Sequence, residues 1–155
     1  MKTTASVRKA APEDIESIYR IISSYSEEGV LLSRSIEDIN VNLNNFLVAE
    51  VGRAIVGVVT FYDYGDRLKE VRSLAVDKNQ LRRGIGSALL NALISELNRA
   101  NAPRIFVLTY AAGFFKKNGF SIIDMDTLPE KIWKDCANCP RQDSCNEVAL
   151  EYTGT

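Results

Sequence analysis

Apolar and polar positions alternate along the chain in two distinct rhythms. Residues 5–9 (SVRKA) read as a short strand. Pro12 opens a helix, with Glu13 and Asp14 in the first turn, where acids complement the dipole. Ile15, Ile18, Ile22 and Tyr25 follow at helical spacing, and Gly29 ends the run. Ser35 has the character of an N-cap, with Asp38 in the capping-box position. Ile36, Ile39 and Leu43 line a second, shorter helix. Residues 46–51 and 54–64 are apolar and rich in Val, Ile, Phe and Tyr, with Gly52-Arg53 between them, which predicts a hairpin. After Gly65-Asp66, residues 68–76 form a third strand of this meander. A polar loop, 77–83, leads to Gly84-Ile85-Gly86 and a helix carrying Ile85, Leu89, Leu93 and Leu97, with Ala88 and Ala92 broadening that face. Strand 104–109 follows Pro103, then a short helix over 112–118 with Gly119 at its C′ position. Strand 120–124 comes next, and 147–152 is a final strand candidate. The core order, β-α-α-β-β-β-α-β-α-β, predicts a mixed α/β layer fold. A single domain over 1–155 is expected, with a core at about 5–125 and a cysteine-bearing tail over 126–155.

Composition narrows the function classes. The 155 residues carry 46% hydrophobic and 25% charged positions, ordinary for a globular domain, which excludes disorder and fibrous repeats. Lys+Arg is 19 and Asp+Glu is 20. That balance argues against a basic groove for nucleic acid. The longest apolar run, 54–59, is far too short to span a membrane, and the N-terminal stretch has no apolar core of a signal peptide. Three cysteines, an odd number, disfavour a secreted disulfide framework, so the cytoplasm is expected. Histidine is absent. Ser-His-Asp triads, Cys-His pairs and His-based zinc sites are therefore excluded, and a general base must be Glu, Asp, Tyr, Cys or Lys, or act through water.

The strand–loop–helix passage around Arg82-Arg83-Gly84-Ile85-Gly86 has the form of a pyrophosphate-binding loop. Glycines allow close backbone approach, the first-turn N–H groups of Ile85, Gly86 and Ser87 point outward, and two arginines add charge. It is not a Walker A loop, since the Lys-Ser/Thr pair is missing, nor G-x-G-x-x-G, since Leu89 occupies the last position. The alternative is a helix start whose glycines only ease packing.

The stretch LKEVRSLAVDKNQLRRGIGSALLNAL resembles the acetyl-CoA-binding core of the GNAT N-acetyltransferases, whose signature is Q/R-x-x-G-x-G/A after a long strand. Gly84 and Gly86 match the glycines, while Leu81 departs from Gln or Arg. AAGFFKKNGF resembles the second signature, a short helix with an aromatic pair and then Gly-Phe. The likeness covers about residues 6–124 and implies the GNAT fold with acetyl-CoA as cosubstrate. More narrowly, RSLAV, RIFVLT, FFKKNGF, LLSRS and the tail resemble the N-acetylglutamate synthases of arginine biosynthesis, in the short bacterial form without an amino-acid-kinase domain. That resemblance implies glutamate as acceptor. A homodimer is a further family-based expectation.

It also suggests roles. Glu70 is the candidate base, directly or through water; its alternative is a strand glutamate paired with Arg or Lys. The backbone N–H groups of Leu74 and Val76 would hold pantetheine, and Arg82, Arg83, Gly84, Ile85, Gly86 and Ser87 the pyrophosphate. The slot of the family's tyrosine acid holds Phe115, left as a cofactor contact, and Tyr110 is the substitute candidate. Arg34 is the first carboxylate ligand, and Arg72 the second. Glu70 and Arg72, two apart on a strand, share a face, as a substrate pocket or as a solvent-facing salt bridge. Lys131 and Lys134 are weaker candidates. In the tail, Cys136-x2-Cys139-x5-Cys145 has the spacing of a structural zinc or iron–sulfur site but only three ligands. The alternatives are three reduced cysteines or a disulfide. A non-catalytic CoA-binding sensor, or an N-acetyltransferase for another amine, are the rival functions.

Overall fold

A computed structural model describes residues 5–65, 67–99, 104–129 and 147–154. The chain forms two compact units, 1–103 and 104–155.

The first unit is built on four antiparallel strands in the order β1-β2-β3-β4: β1 (Ser6–Lys9), β2 (Leu47–Val51), β3 (Ala54–Asp63) and β4 (Leu68–Val76). Helix α1 (Ile15–Ser26) follows a 3-10 turn at Pro12–Asp14, and α2 is Ile36–Val41. The stripe on α1 is Ile18, Ile21 and Ile22, all within 3% exposure, so Ile21 joins the positions set by the three-to-four spacing. These pack with Ile39, Phe46, Val48, Ile55, Val58 and Ala75 into one core cluster. Ser35 caps α2 by accepting the Asp38 N–H at 3.0 Å. The reciprocal half of the expected capping box is missing, because the Asp38 carboxylate is bound to Arg34 and Asn42 instead.

Helix α3 (Ile85–Arg99) buries Ile85, Leu89, Leu93 and Leu97, as the four-residue repeat predicts. The face is widened by buried Leu90 and Ile94; Ala88, expected to widen it, is exposed. A Cβ on Gly57 would lie 2.8 Å from Leu89 Cδ1 and 3.2 Å from Ile85 Cγ2, so glycine lets α3 lie close on β3. Val58, next along β3, packs in the α1 cluster. Neighbours in a strand face opposite sides, so α1 and α3 cover opposite faces of the sheet.

The second unit has strands β5 (Arg104–Thr109), β6 (Phe120–Ile123) and β7 (Val148–Tyr152), with helix α4 (Ala112–Lys117) between β5 and β6. β7 pairs antiparallel with both β5 and β6. Gly119, with φ 92°, turns the chain from α4 into β6 at the C′ position expected of it. Among the described residues no helix is long and apolar enough to cross a membrane.

Candidate active site

The ladder between β3 and β4 slips once. Val58 stands opposite Ala75, but Thr60 stands opposite Arg72, so Ser73 and Leu74 together face Val59. This is a β-bulge on β4, and Ser73 adopts φ 54° there. Past the bulge, the Asp77 N–H donates to the Val56 carbonyl at 2.7 Å. Residues 56 and 77 are thus a hydrogen-bonded pair, and Gly57 and Val76 form the next, non-bonded one. The main-chain N–H and C=O of Val76 consequently point away from β3. Consistent with that, the Val76 carbonyl accepts the Tyr25 hydroxyl at 2.7 Å.

Before the bulge, Tyr62 stands opposite Glu70 and Thr60 opposite Arg72, so the four share one face. Glu70 Oε1 accepts from Arg72 Nε at 2.7 Å and from the Tyr64 hydroxyl at 2.9 Å. Arg72 Nη2 donates to the Tyr64 oxygen at 2.7 Å. The guanidinium also stacks 4.5 Å from the Tyr62 ring centroid. The pair predicted from two-residue spacing forms, with unequal exposure of its two members. The Glu70 side chain is 8% exposed, whereas Arg72 is 36% exposed. Burial opposes the charge on Arg72, and the charge and hydrogen bond of Glu70 outweigh it, so its pKa is raised. Burial, then the Glu70 charge, push the Tyr64 phenol above the usual tyrosine range.

Arg34 lies in the loop before α2. Its Nε donates to Ser73 Oγ at 2.9 Å and its Nη1 to Asp38 Oδ2 at 3.0 Å. The bulge therefore aims the Ser73 side chain at Arg34. The Arg34 side chain is only 13% exposed and sits 5.4 Å from the Phe46 ring centroid. Burial lowers its pKa; Asp38 opposes this, while the positive charge of Arg72 adds to it. Arg34, Glu70 and Arg72 thus act on one another within one electrostatic neighbourhood. Asp38, Ser73, Tyr62 and Tyr64 complete it; none was read as a site residue from the sequence, where Asp38 counted only towards a capping box. Arg34 and Asp38 are four apart at a helix start, and that spacing was a usable signal.

The loop after β4 is braced locally. Asp77 Oδ1 accepts the Asn79 N–H at 2.9 Å, and Lys78 Nζ bonds Glu28 at 2.6 Å and the Ser24 carbonyl at 3.2 Å on α1. Arg82 and Gly84 take positive φ, 66° and 77°. The Gly84 carbonyl receives the Ala88 N–H at 3.0 Å, which makes Gly84 the cap of α3. The first three helical N–H groups belong to Ile85, Gly86 and Ser87, and such groups have no acceptor inside their own helix. Arg82, Arg83 and Gly84 are exposed, so the loop presents main-chain donors and two cations outward. The Ile85 side chain is buried, leaving its backbone alone for a ligand. Leu81, in the family's Gln/Arg position, is 50% exposed. These features suit a pyrophosphate, and the outward main chain at Val76 suits an amide-bearing arm.

In the second unit Phe115 is buried, in edge contact with Phe114 and Phe120, each at 5.2 Å between centroids. Tyr110, just past β5, is 40% exposed. Lys131, Lys134, Cys136, Cys139 and Cys145 lie outside the described residues. Among the described residues no cluster of three or more His, Cys, Asp or Glu is placed to hold a metal.

A mixed α/β fold with a bulged strand running into a Gly84-capped helix is the framework that the family resemblance implies for an acyl-CoA N-acyltransferase. Residues 42–122 match the acetyltransferase (GNAT) domain, and the chain belongs to that family. It is 37% identical over 147 residues to a Chlorobaculum tepidum protein named uncharacterized N-acetyltransferase CT2212, covering 95% of each chain. It is 30% identical to the amino-acid acetyltransferase of Shewanella oneidensis over 81% of this chain, which spans 28% of that longer protein. Its backbone superposes on the N-acetylglutamate synthase of Neisseria gonorrhoeae, complexed with coenzyme A and N-acetyl-glutamate, with TM-score 0.85 and 27% identity. That match covers 98% of this chain and 35% of the synthase. The chain is an N-acetyltransferase of the GNAT type.

Proposed function

We propose that the chain moves the acetyl group of acetyl-CoA onto the α-amine of an amino acid bearing a second carboxylate, with L-glutamate as the first choice. The observation that carries this reading is Arg34. It is a largely covered guanidinium in the loop before α2, held by Asp38 and by Ser73 of β4, the strand that carries the Glu70–Arg72 pair. Two fixed guanidiniums whose charges repel gain from an anion between them, and a fork of N–H donors suits a carboxylate. The synthase with N-acetyl-glutamate and the amino-acid acetyltransferases give the same direction.

In this reading the N–H groups of Ile85, Gly86 and Ser87, with Arg82 and Arg83, take the pyrophosphate. The outward backbone of Val76, with the backbone of Leu74 in the bulge, takes the pantetheine arm. Arg34 and Arg72 hold the acceptor's carboxylates. Glu70 receives a proton from the acceptor ammonium, directly or through water; the freed amine forms the new N–C bond as the C–S bond breaks, and the departing thiolate takes up the second amine proton to leave as the coenzyme A thiol. Holding both substrates side by side supplies much of the rate by removing the cost of bringing them together.

The test is thiol release from acetyl-CoA with a panel of amino acids and amines, with mass analysis of the product. N-acetylglutamate is the expected product. Arg34→Ala is expected to raise the glutamate KM about 10- to 100-fold, the cost of one charged hydrogen-bonded contact, while the acetyl-CoA KM holds. Acetylation of polyamines in preference to glutamate overturns the acceptor assignment and leaves the acetyltransferase assignment standing.

A further inference from the structure

Tyr64 touches both members of the charged pair on β4. Its hydroxyl donates to Glu70 Oε1 at 2.9 Å and accepts from Arg72 Nη2 at 2.7 Å, while Arg72 Nε reaches the same Oε1 at 2.7 Å. Three side chains thus close a ring of hydrogen bonds. The ring is built by the hairpin: the Tyr64 N–H donates to the Leu68 carbonyl at 3.0 Å, which fixes where the phenol sits relative to Glu70 two residues along β4. Tyr62 packs against Tyr64 with centroids 4.6 Å apart and so restrains the ring from the other side.

We infer that Tyr64 is a positioning residue for the acetyl transfer, one that orients the Glu70 carboxylate so that Oε2 takes the acceptor's proton. The terminal torsion of a glutamate is broad, so a bond from Arg72 alone leaves the plane of the carboxylate loosely set. A second donor from a different direction removes that freedom. Both bonds fall on Oε1, and Oε2 keeps its capacity for a proton. Tyr64 also holds the Arg72 guanidinium, which keeps the pair from separating when the carboxylate becomes a neutral acid. This inference rests on the reading of Glu70 as the base.

The experiment is a cycle of Tyr64→Phe, Glu70→Gln and the double variant, in the full chain, with L-glutamate and acetyl-CoA. Tyr64→Phe is expected to lower kcat about tenfold, the scale of one hydrogen bond to a charged group, with the acetyl-CoA KM unchanged. In the Glu70→Gln background the same change is expected to lower kcat less than about twofold, because the group it positions is gone. Equal losses in both backgrounds, or wild-type kcat in Tyr64→Phe while Glu70→Gln is impaired, overturn the inference alone. Full kcat in Glu70→Gln overturns the reading of Glu70 as base, and the inference with it. An ultraviolet titration of the protein against Tyr64→Phe reads the surroundings of the phenol, burial first and then the Glu70 carboxylate, whatever the acceptor. A phenol ionising above the other tyrosines supports the ring, and one titrating near the ordinary ~10 overturns it.

Discussion

Asp14 is 4% exposed, and its carboxylate is spoken for on every side. Arg8 donates to both oxygens, at 2.7 and 3.1 Å, and the Ala11 N–H adds a third bond at 2.7 Å. The hydrogen bonds from Arg8 are the largest influence, burial opposes them, and the carboxyl ends below its ordinary 3.8. A group with a depressed folded pKa binds protons more readily in the unfolded chain, so stability rises with pH. Its contribution is complete above the ordinary value and is lost as pH falls through the lower, folded value. Asp14→Asn is therefore expected to destabilise the protein by about 1–3 kcal/mol at neutral pH, since it removes a charged hydrogen-bond acceptor that Arg8 only partly replaces with Glu50. It is also expected to flatten the acid side of the stability profile. Urea midpoints at neutral and acid pH, compared between wild type and variant, check both; parallel profiles would refute the assignment. Single residues of this kind were partly legible. Asp14 was read as a first-turn acid, but its partner on β1 depends on how the chain enters the sheet.

At the scale of elements, periodicity carried the helices and strands, and register carried the site. The four-residue repeat of Ile85, Leu89, Leu93 and Leu97 names the buried face of α3 because a helix has one period and one core. The bulge at Ser73-Leu74 has no such signature in RSLAV, because a slip in register is a relation between two strands. What depends on the slip was hidden with it: the Ser73–Arg34 bond and the outward main chain of Val76. Gly57 shows the same logic for packing. It reads as a weak spot in an apolar strand, yet its missing Cβ is where α3 rests. Gly57→Ala is expected to cost about 1–3 kcal/mol, since Leu89 and Ile85 are buried and have little room to yield. The displaced side chain of Ile85 lies in the first turn of α3, so the acetyl-CoA KM is expected to rise with the loss of stability. Chemical denaturation and steady-state kinetics on the same variant check the two together. A stable variant with unchanged KM would mean that α3 shifts on the sheet without moving its N-terminus.

For the whole molecule, the arrangement of the proposed groups bears on the order of events. Glu70, the proposed base, is bound at one oxygen by Arg72 and Tyr64. A carboxylate that shares its charge with two donors is a weak nucleophile towards a thioester, so covalent transfer through Glu70 is not expected. The chain contains no histidine to activate another nucleophile. Direct transfer within a complex of both substrates is thus expected. Initial-velocity lines at varied glutamate and acetyl-CoA are expected to intersect, and the chain incubated with acetyl-CoA alone is expected to keep its unmodified mass. Parallel lines with an acetyl group on the chain would instead mark a two-stage reaction. The cysteines Cys136, Cys139 and Cys145 would then be the residues to replace first, since a thiolate is the one strong nucleophile this composition offers.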